Sequence, residues 1–267
     1  MDNKIKNILI RNSDTFKKNK INFIKLLGSY QTGGGKDLTV SHNDKKYTFK
    51  KSEDIDGHYV LFSKDADECV YVIISKEDKT AEIHGIGSYS SCLQETNQSV
   101  GSTLLKLTLK LLKKYQDKWQ IKMVILTDNS IKKCHKTDIK LSIMMTLLTG
   151  GTWYGKYGFR PIKITGDNYS FDELEGKKYE KNKKIMNTIK ISDINLIKYI
   201  RKTNNPHIIN ASEQIIKTSP NMLLKDFLSN FLKSFDKTCG YFSMFYEELY
   251  NKIRVYEPHR EFYGLLL

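Results

Sequence analysis

The spacing of apolar residues changes near position 100, and this change limits the folds open to the chain more than any other feature. Between residues 38 and 92, short apolar runs alternate with polar turn residues, which is typical of strands. Across residues 102–115, apolar residues recur every three or four positions, as on one face of a helix. The order of elements predicts an α/β protein with a mixed, mainly antiparallel sheet flanked by helices.

The first block contains four predicted strands joined by short polar connections. The strands are expected at 47–50, 59–63, 70–75 and 81–89. The connections at 64–68 and 76–80 have the lengths of hairpin loops, so the block predicts an antiparallel meander. Residues 70–74 are apolar nearly throughout, which predicts a central strand buried on both faces.

The middle of the chain alternates between helical and extended patterns. We expect a helix at 102–115, a buried strand at 123–127, an inserted loop at 130–137, a helix at 138–157 and a strand at 159–164. Within the first helix, one broad face carries leucines and Thr108, and the other carries lysines. An element order of meander, helix, strand, helix and strand therefore predicts a single mixed sheet for this part of the chain.

Both ends of the chain are predicted to be helical. Residues 3–27 predict one or two amphipathic helices ahead of a Gly-rich loop, which lacks a Walker A pattern because Tyr30 replaces its first glycine. Further helices are expected at 194–200, 211–217, 223–235 and 242–253, and a terminal strand at 261–267 is expected to rejoin the sheet. The chain then divides into N-terminal helices with their loop (1–37), a core (38–165) and a C-terminal helical extension (166–267).

The chain is basic, with a formal net charge of +14 and a pI near 9.4. Such a surface attracts polyanions, including nucleic acid and the phosphates of a cofactor. Most lysines occur singly or in pairs, which favours a solvated basic surface and leaves a dedicated nucleic-acid groove as the alternative.

The four cysteines are far apart and form no C-x-x-C pair, so we expect reduced, cytosolic thiols and no structural metal. No apolar stretch reaches the length of about 20 residues that spans a bilayer, and no apolar run follows the first residues as in a secretory signal. These features predict a cytoplasmic protein with no membrane partner. The Lys-, Asn- and Ile-rich usage fits an AT-rich genome such as that of a large DNA virus or a protist, and a viral protein would lie in the host cytoplasm or the virion.

A motif near the end of the predicted core carries a family resemblance. The sequence Tyr154-Gly-Lys-Tyr-Gly-Phe159, together with the order of elements, resembles the GNAT superfamily of N-acetyltransferases, in which a helix commonly ends in Tyr-x-x-x-Gly-Phe before a strand. The physical logic is independent of the family, because Gly158 can end a helix in the left-handed conformation and Phe159 can enter the core. The resemblance covers roughly residues 45–164.

A second resemblance lies where the strand from residue 81 runs into a turn and a Leu-rich helix, as in histone-type acetyltransferases. In those proteins a loop of pattern [QR]-x-x-G-x-[GA] binds the pyrophosphate of coenzyme A through backbone N–H groups and a helix N-terminus. Here the loop keeps its last glycine but has Thr96 and Ser99 at the first two motif positions. The resemblance implies these cofactor-binding residues: Thr96, Gln98, Ser99, Val100, Gly101, Ser102 and, after the next strand, Asn129. An ordinary strand-to-helix turn, and a turn-capping role for Asn129, are the alternatives.

Acyl transfer to an amine requires a neutral amine, a polarised thioester carbonyl and a proton for the departing thiolate. The resemblance implies Glu82 as the base, with His84 in reserve, and Tyr154 as the acid. The alternatives are a solvated Glu82 and His84 on a strand surface and a buried Tyr154 with a satisfied hydroxyl.

The sequence thus predicts an acyl-coenzyme A-dependent N-acyltransferase that uses acetyl-coenzyme A as co-substrate and a protein lysine, N-terminus or small amine as acceptor. The alternative is a catalytically weak GNAT-like scaffold that binds nucleic acid or another polyanion through its basic surface.

Overall fold

A computed structural model describes residues 37–53, 59–62, 69–86, 100–134, 137–166, 168–234, 239–256 and 262–267. The predicted N-terminal helices and Gly-rich loop lie outside the described residues. The described part is an α/β protein built on one mixed sheet of nine strands. Its strands are β1 Asp37–His42, β2 Lys45–Glu53, β3 Tyr59–Phe62, β4 Val70–Ser75, β5 Thr80–Ile86, β6 Met123–Thr127, β9 Arg160–Thr165, β10 Asn168–Phe171 and β11 Phe262–Leu266, and a separate hairpin contains β7 Ile131–Cys134 and β8 Thr137–Lys140.

The described helices follow β5 in the chain, and most belong to the C-terminal region. They are α1 Val100–Lys114, α2 Gln116–Trp119, α3 Leu141–Thr149, α4 Glu173–Thr188, α5 Leu196–Ile200, α6 Pro206–Thr218, α7 Leu224–Ser234, α8 Cys239–Ser243 and α9 Tyr246–Ile253. The leucines of α1 and the apolar residues of β4 to β6 share one hydrophobic cluster. Helices α5 to α9 pack around a second cluster, together with α3.

The first five strands pair antiparallel with their neighbours in chain order, which confirms the predicted meander. Strand β1 was not among the predicted strands. Along β4, Val70, Val72 and Ile74 are buried, whereas Tyr71 and Ile73 are only partly buried. The prediction of complete burial on both faces was therefore wrong, because the second face of β4 is less well covered by the described residues.

The C-terminal strand β11 enters the middle of the sheet. It lies between β6 and β9 and runs antiparallel to both, so the prediction that the terminal strand rejoins the sheet is confirmed. Gly264 leaves room for side chains of the two neighbouring strands, because a Cβ there would lie 2.6 Å from Ile162 Cγ2 and 2.9 Å from Met123 Sδ. The last residues of the chain thus complete the sheet beside β6.

The two faces of the sheet are distinguished by the side chains of β6, which alternate between them. Val124 and Leu126 belong to the cluster that contains α1, and we call this side the α1 face. Met123 and Ile125 belong to a small cluster on the other side, which we call the opposite face. The side chain of Asp128, two positions beyond Leu126, is therefore expected on the α1 face.

The segment 130–157 differs from its prediction. Residues 131–134 and 137–140 form the β7–β8 hairpin rather than a loop and the start of a helix. Helix α3 ends at Gly150, which is left-handed with φ 77°, and a separate 3₁₀ turn covers Tyr154–Tyr157. The glycine pair at 150–151 stops the predicted helix, since only glycine takes this conformation without strain. Gly158 is left-handed with φ 93° and Phe159 is buried, as predicted.

The beginning of the C-terminal extension also contains two elements that were not predicted, β10 and α4. Helix α4 is rich in lysine and glutamate, so it lacks the apolar periodicity from which helices were predicted. A capping signal was present, because Asp172 precedes the helix and its Oδ1 accepts a 2.9 Å hydrogen bond from Glu175 N.

The cysteines correct a further expectation. Cys69 and Cys134 are buried in different clusters and each takes part in a disulfide. The expectation of reduced thiols was wrong for these two residues, because wide spacing along the chain does not prevent cysteines from meeting in the fold. Among the described residues, no helix combines the length and the apolar character needed to cross a membrane.

Candidate functional site

The candidate site begins where strands β5 and β6 stop pairing. The two strands are parallel, and their last paired residues are Ile83 and Leu126. Strand β5 continues to Ile86, and its register against β4 shifts so that His84 has no partner between Ile83 and Gly85. Such a bulge bends a strand and re-aims its side chains. Strand β5 therefore continues beyond Ile83 without a β6 partner among the described residues.

Helix α1 is the next described element after β5 in the chain. Its first residues, Val100, Gly101 and Ser102, are partly buried, and the first turn carries no acidic side chain. A Cβ added to Gly101 would meet no atom within 4 Å among the described residues. The first N–H groups of a helix lack partners within it and favour anions. Thr96, Gln98 and Ser99 lie outside the described residues.

Tyr154 lies at the start of the 3₁₀ turn that follows α3. Its side chain is 9% exposed, and its ring makes edge contacts with Trp153 and Phe159 at centroid distances of 4.8 and 6.0 Å. Its hydroxyl lies 3.3 Å from Ser130 Oγ. Burial, opposed by the hydrogen bond with Ser130 and assisted by the nearby charges of Asp128 and Tyr157, raises the pKa of Tyr154 to about 12. The hydroxyl is thus protonated at neutral pH.

Asp128 directly follows β6 and was not among the predicted site residues. It is only 4% exposed, and its Oδ1 accepts a 3.2 Å hydrogen bond from Ser130 N. No described residue donates a hydrogen bond to Oδ2. Burial raises the pKa of the Asp128 carboxyl, while hydrogen bonds from the backbone and side chain of Ser130 oppose that shift. A carboxyl immediately after a buried strand was the sequence signal that could have identified it.

Three further tyrosines form a hydrogen-bonded group near Asp128. The Tyr256 hydroxyl donates a 3.0 Å hydrogen bond to the Tyr263 hydroxyl, and the Tyr250 hydroxyl donates one of 2.6 Å to the Tyr256 carbonyl. Burial raises the pKa of Tyr263 well above its usual value, and the charges of Tyr256 and Asp128 add to the shift. Asp128 therefore faces neutral phenols from two elements, Tyr154 and Tyr263.

Asn129 is exposed, and its backbone N–H donates a 3.0 Å hydrogen bond to the Thr127 carbonyl. This tight turn brings Ser130 back toward Asp128. The described contacts of Asn129 are those of a turn residue.

Glu82 and His84 contact each other but are separated from Tyr154 by the sheet. His84 Nε2 lies 3.1 Å from Glu82 Oε2, and both side chains are about one-third exposed, at 31% and 32%. Ala81 and Ile83 belong to the α1 face, so Glu82 between them points to the opposite face. Asp128 and Tyr154 lie on the α1 face. The structure thus brings Tyr154 together with Ser130 and Asp128, and not with the predicted base.

A separate cavity of about 620 Å³ lies between α4 and the β9–β10 hairpin. Its floor contains Pro161, Phe171 and Tyr179, and the Arg160 guanidinium lies 4.3 Å from the centre of the Phe171 ring. Three lysines of α4, Lys177, Lys181 and Lys184, line its rim, as do the acidic residues Asp172, Glu173 and Glu180. The described residues contain no group of three His, Cys, Asp or Glu side chains arranged to hold a metal.

No protein-family model, curated protein or solved structure matches this chain. The functional argument therefore depends on the geometry of the described residues.

Proposed function

We propose that this chain is a GNAT-type N-acyltransferase that transfers an acetyl group from acetyl-coenzyme A to an amine. One observation carries the proposal: two parallel strands stop pairing at Ile83 and Leu126, and a buried, protonated tyrosine lies beside the end of the second strand. Strands that separate in this way can leave a gap that admits the narrow pantetheine arm of coenzyme A and exposes strand N–H groups to it.

The start of α1 supports binding of the cofactor phosphates. The first-turn N–H groups of Val100, Gly101 and Ser102 favour an anion, and no described atom beside Gly101 would keep a pyrophosphate from approaching the backbone. The net charge of +14 increases the local concentration of such a ligand.

The positions of the predicted acid and base support a thioester held within the gap. On the α1 face, Tyr154 would donate a proton to the departing thiolate. On the opposite face, Glu82 or His84 would accept the proton of the incoming amine. An N–H of β5 beyond Ile83 would polarise the thioester carbonyl. Because the acid and the base approach from different faces, the leaving group and the nucleophile occupy different sides of the carbonyl carbon.

Titration with acetyl-coenzyme A and a panel of lysine peptides and small amines tests this function. We expect a concentration-dependent rise in the unfolding temperature and release of free thiol only when an amine is present. Tyr154→Phe should lower turnover at least tenfold and leave coenzyme A affinity nearly unchanged. The matched control is Tyr157→Phe, which removes a neighbouring hydroxyl. Gly101→Val should abolish binding, and absence of both binding and thiol release in the wild type would rule out the proposal.

A second candidate function is a scaffold that binds polyanions, and the cavity beside α4 favours it. Arg160 and the three rim lysines outnumber the three acidic residues of the lining by one, and the apolar floor could contact a base or an aromatic group. Heparin retention and the salt dependence of DNA binding measure this activity. Lys181→Glu should weaken binding, whereas Lys217→Glu, an exposed lysine on α6, should weaken it less. Equal effects of both variants would indicate nonspecific attraction to the basic surface.

A further inference from the structure

Glu82 and His84 contact each other on the opposite face of the sheet. His84 Nε2 lies 3.1 Å from Glu82 Oε2, and the two side chains are 31% and 32% exposed. The Tyr71 ring of β4 packs against the His84 ring at 5.4 Å between centroids. The imidazole thus contacts a carboxylate and an aromatic ring, and an amine can still reach it from solvent.

The register of β5 separates the roles open to these two residues. Glu82 pairs with Ile125, and Ile83 pairs with Leu126 as the last pair between β5 and β6. His84 is the first residue beyond that pair, and it is the extra residue in the register of β5 against β4. His84, and not Glu82, therefore borders the point at which the two parallel strands stop pairing.

We propose that His84 is the general base of acyl transfer and that Glu82 is a positioning residue that fixes the orientation of its ring. The proposal rests on the acyl transfer proposed above and decides between the two bases considered there. His84 accepts the proton of the amine on Nδ1, while its Nε2–H group donates to Glu82 Oε2.

The chemistry of the two groups favours this division. An imidazole accepts a proton near neutral pH, whereas an ordinary carboxylate is a much weaker base. A neutral imidazole has one N–H group and one nitrogen lone pair, and an ionised carboxylate can only accept a hydrogen bond. Because Glu82 Oε2 lies beside Nε2, the hydrogen is placed on Nε2 and the lone pair on Nδ1. The negative charge of Glu82 then stabilises the imidazolium that forms.

The charges around His84 also indicate a class of acceptor. Within β4, β5 and β6, the titratable side chains on the opposite face are Tyr71, Glu82 and His84. An anionic carboxylate beside the base attracts a cationic group. The acceptor that fits is an alkylamine, which arrives as an ammonium and loses one proton to solvent before it attacks.

The proton count closes over one turnover. The neutral amine nitrogen bonds to the carbonyl carbon and gives one proton to His84 Nδ1, and the carbon–sulfur bond then breaks to release the thiolate. Tyr154 gives its hydroxyl proton to the thiolate. His84 releases its proton to solvent, and solvent returns one to Tyr154, so the transfer to the neutral amine consumes no net proton.

The kinetic test compares His84→Gln and Glu82→Gln with two controls. His207→Gln and Glu77→Gln change exposed residues of the same types, at the start of α6 and in the turn between β4 and β5. We expect His84→Gln to lower kcat about 100-fold, which is typical for loss of a general base. Glu82→Gln should lower kcat about two- to fivefold with little change in the KM of the amine, because a partly exposed charge stabilises the imidazolium only modestly. Both controls should keep the wild-type kcat.

The pH profile separates a base from a residue that only supports the strand. A base must be unprotonated to act, so the wild-type kcat should rise with pH, and the limb due to His84 should be absent from His84→Gln. Wild-type kcat in His84→Gln would overturn the role of His84 while leaving acyl transfer intact. A loss in Glu82→Gln as large as that in His84→Gln would overturn the division of roles.

Nitrogen-15 NMR of the neutral His84 ring gives a readout that does not depend on activity. We expect the hydrogen on Nε2 in the wild type and in Glu77→Gln, and a larger share on Nδ1 in Glu82→Ala, which lacks the acceptor. A wild-type hydrogen on Nδ1, or the same distribution in Glu82→Ala, would overturn the positioning role. If the wild type acetylates no alkylamine, the proposed function fails and the role of His84 as base fails with it, even where the NMR data show the contact with Glu82.

Discussion

Tyr179 of α4 contacts the backbone of the turn that carries Tyr154. Its hydroxyl accepts a 3.3 Å hydrogen bond from Thr152 N, and its ring packs edge-on against Tyr256 at 5.3 Å between centroids. A Cβ added to Gly151 would lie 2.9 Å from the Tyr179 hydroxyl oxygen, and one added to Gly155 would overlap it. A helix of the C-terminal extension therefore holds the proposed acid in place.

Gly155→Ala is expected to destabilise the fold by about 1–3 kcal/mol, because the new methyl group overlaps the Tyr179 hydroxyl. Tyr179→Phe removes that oxygen, so the double variant should recover part of the loss. Urea unfolding of the four proteins in the double-mutant cycle measures the coupling. Additive effects of the two substitutions would contradict the contact.

Gly264→Ala is expected to destabilise the fold by about 1–3 kcal/mol, since its Cβ would lie 2.6 Å from Ile162 Cγ2 in the middle of the sheet. Gly176→Ala is the matched control. It lies inside α4, and a Cβ there meets no described atom within 4 Å, so it should stabilise by about 0.5–1 kcal/mol. Thermal unfolding of both variants should shift in opposite directions, and shifts of the same sign would contradict the position of β11.

The helices and strands predicted well from the sequence are those whose apolar spacing is set by residues within the element itself. Strand β6 was predicted at 123–127 and helix α1 at 102–115, because burial of both elements imposes a regular apolar spacing. The terminal strand was predicted from its composition, and its place in the sheet was predicted in general terms. Its insertion between β6 and β9 depends on pairing with residues far away in the chain, such as Phe262 with Thr127 and with Ile162, which no local pattern contains.

The candidate site was only partly predictable for a related reason. Tyr154 was found through the residues around Gly158, whose left-handed conformation is a local requirement. Asp128 was missed because its significance depends on burial against Tyr154 and Tyr263, which come from distant parts of the chain. Glu82 points to the face of the sheet that α1 does not cover. Which face α1 covers is also a property of the assembled sheet, so no local pattern predicts it.

Reduction of the disulfides is expected to destabilise the protein. Cys69 and Cys134 both take part in disulfides, and each bridge typically contributes about 2–4 kcal/mol. A reducing agent should therefore lower the urea midpoint of the wild type and should have little effect on a Cys69→Ser, Cys134→Ser double variant. Peptide mapping by mass spectrometry without reduction identifies the bonded pairs. An unchanged midpoint of the wild type under reducing conditions would argue against both bridges.

The buried carboxyl of Asp128 is expected to make stability depend on pH in a direction opposite to that of most carboxylates. Burial raises its pKa in the folded state above the ordinary value of 3.8, so the folded protein holds this proton more tightly than the unfolded chain does. The free energy of unfolding should then fall as the pH rises from about 4 through the folded pKa of Asp128, and the loss should persist at higher pH.

Asp128→Asn removes this titration while it keeps the size of the side chain. The free energy of unfolding of Asp128→Asn should therefore increase relative to that of the wild type as the pH rises through the folded pKa of Asp128. Asp138→Asn is the control, because Asp138 is exposed on β8. Urea unfolding at pH values from about 4 to 8 measures the difference, and a difference that stays constant across this range would mean that the folded protein does not hold the proton of Asp128.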